Sequence, residues 1–244
     1  MKPVAAFLIR VVLLAFILCV LRWAINTTLS STMDALILIG GPLSVYPAVW
    51  LGRAILDRRR TMNRAAWTTT IVHASMMFTL GVPIARAIVT HRHWSVWVLH
   101  VPAQIGFALV LITSAACSLT VVNLAMRGLG APFFVALSRK LAADWLYAWT
   151  RNPMVLTVLA LGVSLGIWFQ SALFVLWVLV LLAPALLTFV KIFEERELEI
   201  RFGSSYLEYK SRTPMVFPRR PKKLSDLPPG APVTTADEPL SINH

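Results

Sequence analysis

Apolar residues gather along the chain into six long runs, at about 4–25, 35–56, 66–88, 98–124, 154–170 and 172–193, with short polar connections between them. Each run approaches the roughly 20 apolar residues that cross about 30 Å of hydrocarbon. Lipid offers the backbone no hydrogen-bond partner, so a spanning segment that is not part of a barrel must be helical. The pattern therefore predicts an all-α integral membrane protein with about six transmembrane helices, a C-terminal helical hairpin and a cytoplasmic C-terminal segment. The last two runs are separated only by "FQS". Gly162 and Gly166 lie on one face of the fifth, which suits a tight antiparallel pairing with the sixth.

Composition agrees with this pattern. At 57% hydrophobic and 14% charged residues, with mean hydropathy +0.71, too little polar surface remains for a soluble globule. Basic residues then set the orientation, because cytoplasmic loops accumulate Lys and Arg. Arg58, Arg59, Arg60 and Arg64 follow the second run, Arg127, Arg139, Lys140 and Arg151 lie between the fourth and fifth, and eight more basic residues fall between Arg196 and Lys223. The connections "NTTLSSTMD" and "THRHW" carry one basic residue between them, Arg92. Both termini are thus expected in the cytoplasm of a multi-pass protein of a bacterial inner (plasma) membrane. A basic face beside anionic lipid accounts for the net charge of +12 without nucleic acid as a partner. The first run is long, contains Arg10 and ends in "LRWAINTT" with no small-residue cleavage site, so it reads as a retained anchor. Cys19 and Cys117 sit inside apolar runs, which argues against a disulfide framework or a metal site.

Residues 1–126 read as an N-terminal four-helix transmembrane region in which Gly40-Gly41-Pro42, Gly81 and Pro83 suit close packing and kinks. Arg10 and Arg22 can snorkel to the two surfaces, and His73 and His100 are expected to be packing residues inside the membrane. The connection from Arg127 to Arg151 is expected to lie along the interface, with Phe133, Phe134, Trp145, Tyr147 and Trp149 at headgroup depth. After Leu224 the composition turns to Pro, Ser, Thr and Asp, which predicts a disordered tail over 224–244.

The chemistry is expected at the ends of the hairpin, which bring "RNPM" (151–154) and "EERELEIRFG" (194–203) together across some 40 residues of sequence. Each has a purely structural reading. Asn152 can cap a helix that begins with Pro153, and Glu197 with Arg201 can form an i,i+4 pair on a solvated stalk. The stalk does not explain the full spacing of Glu194-Glu195, Leu198, Phe202-Gly203, Tyr206, Tyr209, Pro214 and Pro218.

That spacing, together with "WLYAWTRNPM" upstream, resembles the isoprenylcysteine carboxyl methyltransferase and phospholipid methyltransferase superfamily over about residues 127–220. The resemblance makes 127–223 a methyltransferase-like region and implies S-adenosylmethionine as cofactor, bound where the hairpin meets the C-terminal segment. By the same resemblance Arg151 and Glu195 are the expected catalytic residues. Tyr147, Arg151, Asn152, Pro153, Met154, Glu194, Glu195, Leu198, Tyr206 and Tyr209 are the expected cofactor-binding residues, and no metal is implied. Glu194 or Glu195 would accept hydrogen bonds from ribose hydroxyls, as acidic residues do in dinucleotide folds. Arg151 would offer a fork to a carboxylate, and the tyrosines would contact adenosine or the sulfonium. The acceptor would be a lipid-like or membrane-partitioned small molecule with a carboxylate, amine or hydroxyl, and membrane lipids are the other expected partners. Trp145 stands where the family usually has glycine. Val155 and Thr157 replace its frequent Tyr and Gly, Asn152 the histidine of the isoprenylcysteine branch, and Met215 a frequent arginine. Two other classes fit part of the pattern: an NADPH-dependent membrane reductase of the sterol-reductase type, and a non-catalytic membrane scaffold.

Overall fold

The computed structural model describes residues 3–58, 62–94, 97–128 and 141–220. The expectations for Arg59, Arg60, Phe133, Phe134, Arg139, Lys140 and the tail 224–244 lie outside the described residues. The described residues are almost entirely helical: α1 (Pro3–Asn26), α2 (Ser31–Arg58), α3 (Met62–Thr79), α4 (Gly81–Thr90), α5 (Ala103–Gly128), the single turn α6 (Leu146–Trp149), α7 (Pro153–Trp168) and α8 (Ala172–Arg212). Five stretches are long and apolar enough to cross a membrane, namely Phe7–Asn26, Ser31–Arg58, Arg64–His93, Ala103–Met126 and Ala172–Arg212, while Pro153–Trp168 is apolar but shorter.

Two element boundaries differ from the sequence pattern. The third run is divided at Leu80 into α3 and α4, because Pro83 has no N–H to continue the helical ladder. The fourth run does not begin as a helix at residue 98. Pro102 disfavours helical backbone in the residue before it, and residues 97–101 instead lie against the α7–α8 turn. There Leu99 N–H donates to Gln170 O at 2.9 Å and Ala172 N–H to Trp97 O at 3.0 Å. His100 is consequently exposed on this extended connection rather than packed inside the membrane.

The core is built around α8. Phe174, Trp177, Val178, Leu182, Ala185, Phe189, Val190 and Phe193 of that helix are buried against Leu38, Val45, Val49 and Leu56 of α2 and Val72 and Met76 of α3. Trp177 Nε1 donates to Leu38 O at 2.8 Å. Two π-helical segments, Val178–Leu182 and Val190–Glu194, interrupt α8. The first precedes Pro184, whose ring would clash with the carbonyl one turn earlier in a regular α-helix. Across the turn at 169–171, Gly166 and Gly162 lie against Val175 and Val178; a Cβ at Gly166 would stand 2.6 Å from Val175 Cγ2. On its other side α7 carries α5, whose Gly106 is packed so closely that a Cβ would lie 2.5 Å from Trp168 Cα. His73 accepts packing from Phe189 and Phe193, edge to face at 5.2 and 6.3 Å, with Nδ1 2.9 Å from Thr69 O.

At the opposite end from the Glu-rich segment, a buried arginine ties three helices together. Arg86 Nε donates to Asp34 Oδ1 at 2.7 Å, and its Nη1 donates to the carbonyls of Ala24 and Thr27 at 2.7 and 2.6 Å. Removing one partner of a buried ion pair leaves an uncompensated charge, at a cost of about 3–5 kcal/mol. Arg86→Met is therefore expected to lower the thermal unfolding temperature of the detergent-purified protein sharply, whereas Arg22→Met, at an exposed position, shifts it little.

Candidate functional site

The start of α7 meets the end of α8 and the segment after it. The 149–152 backbone runs beside 213–219: Arg151 N–H donates to Pro214 O at 2.9 Å, and Arg219 N–H donates to Trp149 O at 3.0 Å. Thr150 Oγ1 and Asn152 Nδ2 both donate to Met215 O, at 3.1 and 2.9 Å. Asn152 occupies the N-cap position and Pro153 opens α7 as expected, but the Asn152 side chain is turned to the C-terminal segment and does not cap the helix.

Arg151 is the hub of this junction. Its Nη1 donates to the carbonyls of Lys210 and Thr213 at 2.8 and 2.6 Å, and its Nη2 to Glu195 Oε1 at 2.6 Å. Lys210 Nζ sits 2.8 Å from Glu195 Oε2 and 2.9 Å from Glu199 Oε1. The Arg151 and Glu195 side chains are only 8% and 3% exposed, so this is a buried, multiply bonded ion pair. One donor of the guanidinium, Nε, is buried without a partner.

About twenty residues of α8 suffice to cross the hydrocarbon, so the charged stretch from Glu194 onward lies past the bilayer core. Burial would raise the Glu195 carboxyl, but its bonds to Lys210 and Arg151 outweigh that and hold it below the ordinary carboxylate range. Its neighbour behaves in the opposite way. Glu194 is half-buried, and burial first, then the Glu197 and Glu195 carboxylates, push its carboxyl up to about 7. Adjacent glutamates thus sit in opposite electrostatic surroundings.

The tyrosines are not interfacial anchors. Tyr206, Tyr209 and Tyr147 are 1%, 8% and 9% exposed, and Tyr209 OH donates to Tyr147 O at 2.7 Å, fastening α6 to α8. Trp145 and Trp149, by contrast, are exposed, as an interfacial position requires. Met154 and Leu198 are half-buried and Pro153 is buried. Glu197 and Arg201 form the expected i,i+4 pair at 2.9 Å, yet their side chains are 4% and 12% exposed. The stalk is therefore not solvated, because Glu197 is pressed toward α3 and faces the Thr69 hydroxyl. Lys210, Thr213 and Met215 complete the junction; sequence reasoning marked Met215 as a departure from the motif, counted Lys210 only among the basic residues of the C-terminal segment, and passed over Thr213.

Two residues share an unusual backbone. Gly203 adopts φ 53°, ψ −128° and bends α8, with open space where a Cβ would be. Its need for glycine is thus conformational. Trp145, just ahead of α6, adopts φ 54°, ψ −121°, nearly the same conformation with a bulky side chain. Such a conformation costs a non-glycine residue roughly 1–3 kcal/mol.

A sequence model described as phospholipid methyltransferase matches residues 102–205, which is less than half of the chain. The matched stretch takes in α5, α7 and most of α8, and the resemblance of the C-terminal half to this superfamily is thereby shown. No curated protein and no solved structure matches.

Three substitutions at this junction have expected effects on stability. Glu195→Gln strands the Arg151 charge and is expected to lose about 3–5 kcal/mol at neutral pH. Because the Glu195 carboxyl is depressed in the folded protein, its contribution is present above the ordinary carboxylate pKa and disappears as the pH falls through the folded value, so wild type and variant converge in acid unfolding curves. Trp145→Gly is expected to raise the unfolding temperature by relieving strain. Gly203→Ala, in the same conformation, is expected to lower it by about 1 kcal/mol or more.

Proposed function

We propose that this chain is an integral-membrane methyltransferase that binds S-adenosylmethionine at the junction of α6, α7, α8 and the 213–219 segment and modifies a lipid-like acceptor. The observation that carries this reading is the Arg151 Nε donor, buried at the junction without a partner, within a stretch matching a methyltransferase family. The cofactor presents a carboxylate, a ribose diol and a cationic sulfonium. A buried donor, a carboxyl acceptor and an aromatic wall answer these three groups in kind.

When bound, S-adenosylmethionine supplies an electrophilic methyl group, so the protein's work is orientation and exclusion of water. In this reading Glu194 accepts from the ribose hydroxyls and Arg151 donates through Nε. Tyr147, Tyr206 and Tyr209 form the aromatic wall, and Asn152, Pro153, Met154 and Leu198 complete the lining. Glu195 is a positioning residue, fixing Arg151 by the clamp it shares with Lys210. Helices α1–α4 serve as scaffold, and the protein lies in a bacterial plasma membrane with both termini cytoplasmic.

Titration calorimetry of the detergent-purified protein with S-adenosylhomocysteine and with NADPH tests this. The first is expected to bind and the second not to; NADPH binding alone would favour a reductase, and binding of neither a scaffold. Glu194→Gln is expected to weaken S-adenosylhomocysteine roughly tenfold or more, the usual worth of a hydrogen bond to a charged group, without lowering the unfolding temperature. Glu194 ionises near pH 7, so wild-type affinity is expected to rise with pH through that region and to stay flat in the variant. An unchanged affinity in Glu194→Gln would remove Glu194 from the site.

A further inference from the structure

Between α2 and α3 an open groove of about 590 Å³ runs down the bundle. Ala48, Leu51, Gly52 and Ile55 form one wall, and the other extends along α3 from Arg64 to Ser75. Both sets recur at intervals of three and four residues, so each wall is a single helix face. Residues 59–61 alone join the two helices, which therefore run antiparallel, with Ile55 near Trp67 and Ala48 near Ser75. Leu51 and Ile71 are exposed, so the mouth of the groove faces the bilayer. Its back is closed by tight packing: a Cβ on Gly52 would stand 2.6 Å from Val72 Cγ2 and 3.0 Å from the Phe193 ring of α8. None of the junction residues lines it.

Length and charge identify what fits there. From Arg64 to Ser75 the groove covers about 16 Å at 1.5 Å per residue, which is about half of the 30 Å or so of hydrocarbon. It is thus one leaflet deep, the reach of an acyl chain, whereas a partner helix would need a track through both leaflets. Arg64 is the one charged residue of the lining, and it is exposed at the end where the apolar span begins. Arg10 of α1 stands over the ring of Trp67, with Cζ 5.8 Å from the centroid and Nε buried without a partner. Among the described residues neither arginine is paired with a carboxylate. Asp57, the acid of α2 at this end, is engaged by Arg53 and Arg196.

We propose that the α2–α3 groove is a binding site for a phospholipid of net negative charge, separate from the junction of α7 and α8. One acyl chain lies between the helices, and the phosphate sits at Arg64. Trp67 takes the headgroup level, where tryptophan is favoured, and the uncompensated positive charge of Arg64 and Arg10 selects an anionic head over a zwitterionic one. The lipid here is a resident of the fold and not a reactant. The site stands whether or not the chain is a methyltransferase.

Native mass spectrometry of the detergent-purified full chain, offered dioleoylphosphatidylglycerol and dioleoylphosphatidylcholine in equal amounts, tests this. The two lipids share their chains and differ in net charge. Wild type is expected to carry its first lipid as phosphatidylglycerol by about fivefold or more, the usual worth of one basic residue beside an anionic lipid. Arg64→Gln, at an exposed position, is expected to bring the ratio close to one, while Arg219→Gln, an exposed cation away from the groove, leaves it unchanged. Ala48→Phe and, from the facing helix, Ser75→Phe fill the groove and are each expected to lower the first bound lipid of both kinds at least twofold. Equal binding of the two lipids by wild type would overturn the proposal, as would a preference that survives Arg64→Gln. A preference lost equally in Arg219→Gln would show a diffuse attraction and no site. Lipid undiminished in both phenylalanine variants would place the chain elsewhere.

Discussion

A buried charge must be surrounded, and most of the architecture near the motifs is the surrounding of one guanidinium. Taking Arg151 and Glu195 out of water costs several kcal/mol per ion, and their attraction offsets this only when the remaining donors and lone pairs are also used. The chain uses three of the five N–H donors, two on backbone carbonyls through Nη1 and one on a carboxylate oxygen through Nη2, and sets Lys210 against the other oxygen. Each partner comes from a different place, the 210–213 backbone, the middle of α8 and the side chain of Lys210. Satisfying one arginine therefore fixes the first turn of α7, the face that α8 presents and the return of the chain after it.

The same helix meets a second polar requirement on its other side. Glu195 and Glu197 are two residues apart, so in a helix they point in nearly opposite directions. Glu195 reaches α7 and the C-terminal segment, while Glu197 with Arg201 is buried toward α3. Further down, Arg53 Nη1 donates to Ile192 O at 3.3 Å and Arg196 Nε to Asp57 Oδ1 at 2.7 Å, joining α2 to the same stretch. Helices α2 and α3 carry none of the motif residues, yet they supply the wall that keeps the motif helix dry.

Apolar runs were legible because lipid imposes them on every spanning helix, and the motif residues were legible because their spacing survives in sequence while their meeting does not. Three things were not. The extended stretch 97–101 is as apolar as a span, so only Pro102 hinted that α5 starts later. The Glu197–Arg201 pair has the spacing of a solvated helix face, and nothing local says that α3 covers it. Arg86 is a single polar residue inside an apolar run, and what it touches is decided by helices far away in sequence. The glycine-like backbone of Trp145 was half legible: the residue's place in the motif marked it, and its φ shows what the mismatch consists of.

The clamp also has a chronology. A chain is made from its N-terminus, and Arg151 bonds to groups 44, 59 and 62 residues later. When α7 and the first part of α8 have been synthesised, the guanidinium still lacks Glu195, and when Glu195 arrives it still lacks the carbonyls of Lys210 and Thr213. The two halves of the polar junction are thus held in waiting until the end of α8 has emerged. Assembly of this end of the bundle therefore waits until the chain has been made as far as Thr213, and a chain stopped short of it is left with its most demanding charge only partly satisfied.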